Sequence, residues 1–196
     1  ARLGVSANAI SVSSAVFAVA AAAALMAAPS VGAPLYTAAA LFIPLRLLAN
    51  LFDGMVAVEE GRATPTGPLF NEVPDRIADV VILAAAGASA GYAAESGVIA
   101  DWGATLGWIA AVCALLTAYV RELGRALGQP ADFSGPFAKQ QRMWVIFVGA
   151  SLAGGEAAWD GGGEVLFAAV AIVAAGTLLT VLRRLSRLAA ALRAAA

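Results

Sequence analysis

Histidine is absent from the sequence, and cysteine occurs once, as Cys113, among 196 residues. Without histidine, any general acid or base must be a carboxylate, a lysine, a tyrosine, a cysteine or the substrate itself. Cys113 lies in the middle of an apolar run, which predicts an inert packing role and gives no information on redox compartment.

Charged residues are scarce as well, at 13% of the chain, which is about half their share in an ordinary soluble domain. Hydrophobic residues make up 61% of the sequence, and the mean hydropathy is +0.84. A soluble core does not contain several uninterrupted apolar runs near the ~20 residues that span a bilayer. The composition therefore predicts an integral membrane protein.

Six apolar runs fit membrane spans, and the alternating pattern of barrel strands is missing, so we expect helices. The first run lacks a preceding basic segment and is long enough to span, so we expect a transmembrane helix and no cleavable signal peptide. The fifth run is the shortest. The runs cover residues 9–28, 35–59, 71–94, 102–120, 143–155 and 165–182. We predict one domain over residues 1–196, an all-α bundle of six transmembrane helices.

Lysine and arginine are missing from the loops at 29–34, 95–101 and 156–164. They concentrate instead near the N-terminus, at 59–70, at 121–142 and in the C-terminal tail. The positive-inside rule then puts both termini and these two loops in the cytoplasm. We predict a multi-pass protein of a bacterial inner membrane, with a tail at 183–193 that forms an interfacial amphipathic helix.

Polar residues near the cytoplasmic ends of the second and third helices indicate a functional site, because such residues are costly inside a membrane. They form two stripes at helical spacing: Asn50, Asp53 and Ala57 on the second helix, and Asn71, Asp75 and Asp79 on the third. Carboxylate and amide oxygens from two helices suit a hard cation such as Mg²⁺ or Mn²⁺. Such an ion stabilises charge on a leaving phosphate.

This pattern resembles the motif of the CDP-alcohol phosphotransferase family, D-x2-D-G-x2-A-R-x8-G-x3-D-x3-D, at the cytoplasmic ends of the second and third of six helices. Aligned without a gap, the motif falls on Asn50, Asp53, Gly54, Ala57, Val58, Gly67, Asn71 and Asp75. The resemblance implies transfer of a phosphatidyl-type group from a CDP-linked lipid to an alcohol acceptor, with release of CMP, in phospholipid biosynthesis. It also implies contact with membrane lipids, a homodimer and no nucleic-acid partner.

The resemblance further implies roles for individual residues. Asp53, Asp75, Asn50 and Asn71 would ligate Mg²⁺ or Mn²⁺, and Asp75 would also be the catalytic base. The small residues Gly54, Ala57 and Gly67 would let the cytidine approach the backbone.

Three motif positions differ from the family pattern. Asn50 and Asn71 replace two aspartates, and Val58 replaces an arginine. The loss of two negative charges favours one tightly held metal ion over two. Arg62, one turn after Val58, is a candidate to replace the arginine that contacts the nucleotide phosphates.

A second basic cluster contains Arg121, Arg125, Lys139 and Arg142. In the family, basic residues of this region line a pocket for phosphates of the acceptor or the lipid, and a phosphorylated acceptor suits them. The alternative is a set of anchors for anionic lipid heads. Arg46 lies two turns deeper than Asp53, where it either pairs with a carboxylate or lines a polar cavity.

Two other functions fit parts of the sequence. A non-catalytic lipid- or nucleotide-binding membrane protein would keep the fold with a weakened metal site, as the replaced motif positions suggest. A small channel or transporter subunit would place polar residues on both sides of the membrane midplane. With the exception of Arg46, the polar residues lie on the cytoplasmic side.

Overall fold

The structure is a computed structural model that describes residues 7–59 and 66–194. For residues 7, 8, 53–59, 67, 68, 70 and 71 it describes the backbone alone. The described residues form six α-helices and no strand, which confirms the all-α prediction. The helices are α1 (Ala7–Val31), α2 (Ala33–Glu59), α3 (Gly67–Ala93), α4 (Val98–Ala126), α5 (Lys139–Ala157) and α6 (Glu164–Ala194).

Five of these helices, α1 to α4 and α6, are long and apolar enough to cross a membrane. Large apolar side chains lie on their outer surfaces, as Val12, Val16 and Val19 do on α1. Helix α5 is the shortest, with 19 residues, and it contains Lys139 and Arg142 near its start. The sequence therefore predicted these five membrane helices. A membrane span at α5, and the side of the membrane that each helix end faces, stay predictions.

The helix contacts form a closed ring in the order α1, α2, α5, α6, α4, α3 and back to α1. Helix α3 lies closest to the centre, because it also contacts α5 and α6. The pairs α1–α2, α3–α4 and α5–α6 fold back through short connections, whereas the loop at 127–138 joins α4 to α5. Gly32 alone separates α1 from α2 and has a φ of 91°, a value that glycine adopts readily. The end of α2, the start of α3, the end of α4, the start of α5 and the end of α6 therefore lie at one end of the bundle.

Helices α3 and α4 touch backbone to backbone through glycines at four-residue spacing. A Cβ atom on Gly103 would lie 2.6 Å from the backbone nitrogen of Gly91, and one on Gly87 would lie 2.4 Å from the carbonyl oxygen of Gly103. Small residues are what permit such an approach between helices in lipid. This contact fixes α3, and with it the polar residues that α3 carries toward the ring interior.

Candidate active site

Arg46 of α2 is fully buried and points at α3. Its Nη2 atom lies 3.3 Å from Asp75 Oδ1 and 3.4 Å from Asp79 Oδ1. A buried guanidinium needs a charged partner, since the desolvation of an isolated ion is costly. Of the two alternatives left by the sequence, the structure shows the pairing with carboxylates.

Asp79 lies between two arginines. Besides Arg46, it accepts a hydrogen bond of 2.7 Å from Nη2 of Arg142 on α5. The Nη1 atom of Arg142 donates to the carbonyl oxygen of Phe137 at 3.0 Å and to Thr117 Oγ1 on α4 at 3.3 Å. Arg142 is 1% exposed, so this guanidinium joins α3, α4, α5 and the preceding loop inside the bundle.

Lys139, the first residue of α5, contacts two other predicted site residues. Its ammonium group donates to Asn50 Oδ1 on α2 and to Asp75 Oδ2 on α3. The Lys139 side chain is 21% exposed and that of Asp75 is 6% exposed. A carboxylate from α3 and an amide from α2 therefore converge on one cation at the edge of the buried network.

The remaining motif residues lie partly outside the described structure. The backbones of Asp53, Gly54, Ala57 and Val58 belong to α2, and those of Gly67 and Asn71 to α3, but their side chains lie outside the described residues. Arg62 lies wholly outside them. The metal-binding role of Asp53 and Asn71 and the substrate contacts of the others stay predictions.

Arg121, at the end of α4, contacts α3 about one helical turn before Asp75. Its Nη2 atom is 2.7 Å from Glu72 Oε2 and its Nε is 2.8 Å from Glu122 Oε1. The guanidinium also lies over the Phe133 ring, 5.3 Å from the ring centroid. Arg121 and Arg187 line a cavity of about 160 Å³ between α4, α6 and the loop at 127–138.

Arg184 of α6 is a buried residue that the sequence reasoning assigned to the interfacial tail, and that assignment is wrong for it. It is 5% exposed and donates to the carbonyl oxygens of Thr117 at 2.8 Å and Ser134 at 2.9 Å. Its spacing from the buried Thr177 and Thr180, at seven and four residues, was the available signal.

The loop at 127–138 is held against α6 by the hydrogen bond from Arg184 to Ser134 and by the ion pair between Arg187 and Asp132. Burial alone would raise the pKa of Asp132, but hydrogen bonds from Ser134 and the positive charges of Arg184 and Arg187 lower that pKa below its usual value. The loop thus stays against the site end of the bundle, above Arg121.

The described donors have the chemistry of a hard-cation site, but they are few. Asn50 Oδ1 and Asp75 Oδ2 face the same cation, and oxygen ligands of this type suit Mg²⁺ and Mn²⁺. The other carboxylate nearby, Asp79, is bound to two arginines. No group of three or more carboxylate, histidine or cysteine residues in 7–59 and 66–194 is arranged to hold a metal. The described side chains alone therefore do not form a metal site, and Asp53 and Asn71, whose side chains lie outside the described residues, would have to complete it.

No family model matches the chain, and no curated protein matches it. Solved structures of the phosphatidylinositol phosphate synthase of Mycobacterium tuberculosis do. The complex with manganese and citrate gives a TM-score of 0.74 at 19% identity and covers 95% of this chain and 84% of that chain. The complex with CDP-DAG gives 0.74 at 19% identity, covering 95% and 88%, and the apo form gives 0.70 at 18%, covering 94% and 90%. The predicted resemblance is therefore confirmed at the level of the fold.

Proposed function

We propose that this chain, which has the fold of a CDP-alcohol phosphotransferase, transfers a phosphatidyl-type group from a CDP-diacylglycerol-like lipid to an alcohol and releases CMP. The observation that carries the proposal is the meeting of Asn50, Asp75 and Lys139 at one point. These residues come from three helices, and two of them occupy metal-ligand positions of the family motif. The structural neighbour with CDP-DAG bound supports the lipid substrate.

Asp75 accepts the proton of the acceptor hydroxyl in the proposed reaction. The hydroxyl oxygen then forms a bond to the phosphorus that carries the diacylglycerol, and the bond from that phosphorus to the CMP oxygen breaks. CMP leaves with the electron pair. Arg46 binds Asp75 Oδ1 at 3.3 Å and so orients the carboxylate, which is a requirement for a positioned base.

A divalent ion, Mg²⁺ or Mn²⁺, belongs to the proposal, and the neighbour crystallised with manganese supports it. We assign Asp53 and Asp75 as its charged ligands and Asn50 and Asn71 as neutral ones. When bound, the ion neutralises phosphate charge as the leaving group departs. The pairing of Asp79 with Arg46 and Arg142 leaves this carboxylate as a structural support of Arg46.

Substrate contacts follow the same assignment. Gly54, Ala57 and Gly67 allow the cytidine to approach the helix backbones, and Arg62 contacts its phosphates. Arg121 and Lys139 are the partly exposed cations of the second cluster. Arg142 belongs to the same predicted set. Its Nη2 atom is bonded to Asp79, so this bond must break before that atom can contact a phosphate.

We propose a phosphorylated alcohol as the acceptor. Arg121 and Arg187 line the cavity of about 160 Å³ beside the site, and arginine binds phosphate in bidentate fashion. We further assign the protein to a bacterial inner membrane, as a homodimer with the site on the cytoplasmic face. The excess of arginine at this end of the bundle supports that orientation.

The test is release of CMP by the purified protein. The protein is reconstituted in lipid nanodiscs with CDP-diacylglycerol and Mg²⁺ or Mn²⁺, and glycerol 3-phosphate, inositol phosphate and serine are added separately. We expect CMP and a new phospholipid with one phosphorylated acceptor. Absence of CMP with every acceptor and both metals contradicts the proposal.

The second candidate function is non-catalytic binding of a CDP-lipid or nucleotide. It is favoured by Asn50, Asn71 and Val58, which replace charged residues of the motif, and by the cations bound to both oxygens of Asp75. Saturable binding of CDP-diacylglycerol without CMP release would identify this function.

A further inference from the structure

Lys139 is the one lysine in the sequence, where every other basic side chain is an arginine. It stands at the first residue of α5, and its ammonium lies between the amide oxygen of Asn50 and a carboxylate oxygen of Asp75. Lysine provides a compact point charge, whereas arginine provides a planar fork. Of the two side-chain types, lysine is the one that approximates a small spherical ion.

The local charges oppose a divalent ion at the same point. Asp75 and Asp79 are the buried carboxylates of the described network, and four cations, Arg46, Arg76, Lys139 and Arg142, contact them. Asn50 is neutral, so the Asn50–Asp75 oxygen pair carries a single negative charge, which Lys139 balances. A divalent ion bound to these oxygens would face the ammonium within a few ångströms, a strongly repulsive arrangement at low dielectric.

We propose that the ammonium of Lys139 takes the place of one divalent cation at Asn50 and Asp75, so that the chain binds at most one divalent ion. That ion lies beside Lys139, with Asp53, Asn71 and Asp75 as its ligands. Of the four ligands assigned above, Asn50 then binds the ammonium and not the ion. The asparagine at position 50, where the motif has aspartate, and the lysine at position 139 then act together. The fixed charge of the lysine replaces a diffusible metal ion.

The chemical consequence concerns phosphate binding, and this part alone rests on the proposed function. An ammonium has three N–H donors, and Asn50 and Asp75 accept from two of them. A phosphate oxygen of the CDP-lipid is the acceptor that we assign to the third. Lys139 would then bring one positive charge to the reacting phosphates without the metal that would otherwise supply it.

The experiment counts bound Mn²⁺ by electron paramagnetic resonance of the free ion, with purified protein in nanodiscs and no CDP-lipid or alcohol. The wild type and Asn50→Asp should each bind at most one ion. The double variant Asn50→Asp with Lys139→Met should bind one ion more than Asn50→Asp. Lys139→Met alone should bind its ion about tenfold more tightly, because a nearby positive charge is lost.

Two further variants separate the specific effect from general ones. Lys139→Arg keeps the charge and should bind Mn²⁺ as the wild type does. Arg183→Met removes an exposed charge of α6 and should also leave Mn²⁺ binding unchanged. The predicted effect is a gain of binding, which an unfolded protein does not produce.

Two ions on Asn50→Asp alone would overturn the proposal, as would an equal number of ions on Asn50→Asp and on its Lys139→Met double variant. A tightening in Arg183→Met equal to that in Lys139→Met would overturn it too. Because no substrate is present, this result is independent of CMP release. If the wild type releases CMP but Asn50→Asp binds two ions, the proposed function stands and the replacement of an ion by Lys139 is wrong.

Discussion

Arg46 is fully buried and contacts two buried carboxylates, so its loss should destabilise the fold. Replacement by methionine would leave Asp75 and Asp79 without a cation that each now contacts. Breaking a buried charge pair from one side costs on the order of 3–5 kcal/mol. Thermal or denaturant unfolding of Arg46→Met in detergent measures this loss.

The matched control is Arg125→Met. Arg125 pairs with Glu122 at 3.4 Å, and the two side chains are 62% and 49% exposed. Exposed pairs contribute roughly 0–1 kcal/mol, so this variant should unfold close to the wild type. Equal stability losses in the two variants would show that the buried network does not support the fold.

Single residues also show the limits of the sequence. The motif spacing predicted Asp75 and its neighbourhood, because helical periodicity puts Asp75 and Asp79 on one face. The depth of Arg46 was readable too, but its choice between a carboxylate and a cavity depends on how α2 and α3 rotate toward each other. The burial of Arg184 depends in part on the loop at 127–138, where the carbonyl oxygen of Ser134 accepts one of its hydrogen bonds. Loop conformation has no comparable periodicity.

At the level of helices, the contact between α3 and α4 should be sensitive to one methyl group. In Gly103→Ala, the new Cβ would lie 2.6 Å from the backbone nitrogen of Gly91, so the helices must separate. Overpacking of this kind costs about 1–3 kcal/mol. The unfolding free energy of Gly103→Ala should fall accordingly.

The comparison variant is Gly155→Ala on α5, where a Cβ would meet nothing within 4 Å. Alanine is favoured over glycine in a helix by about 0.5–1 kcal/mol, so Gly155→Ala should match or exceed the wild type in stability. A neutral Gly103→Ala would contradict the close contact of the two helices.

Helix positions followed from the apolar runs more closely than helix ends did. The sixth run was predicted over residues 165–182 with a basic amphipathic extension, and α6 is one continuous helix from Glu164 to Ala194. Its arginines do not break it, because Arg184 finds buried partners and the others are exposed. Helix α5 is the least apolar helix. It packs in the ring through buried apolar residues such as Met143 and Ile146, and through the contacts of Lys139 and Arg142.

For the whole molecule, the orientation in the membrane can be tested with cysteine reporters. The background is Cys113→Ala, since Cys113 is a free buried cysteine. Ser96→Cys lies in the exposed turn between α3 and α4, and Ala126→Cys lies at the end of α4. A membrane-impermeant maleimide added to intact cells should label Ser96→Cys alone and should reach Ala126→Cys after lysis. The reverse pattern would put the site outside the cytoplasm.

Asp75 is the residue on which the proposed transfer from a CDP-lipid depends most. The direct measurement is CMP release by the wild type and by Asp75→Asn, assayed side by side in nanodiscs with CDP-diacylglycerol, an accepted alcohol and Mg²⁺ or Mn²⁺. We predict acceptor-dependent CMP release by the wild type. In Asp75→Asn it should fall by roughly 100-fold or more, while the variant still binds CDP-diacylglycerol. Wild-type rates in an Asp75→Asn protein would contradict the account.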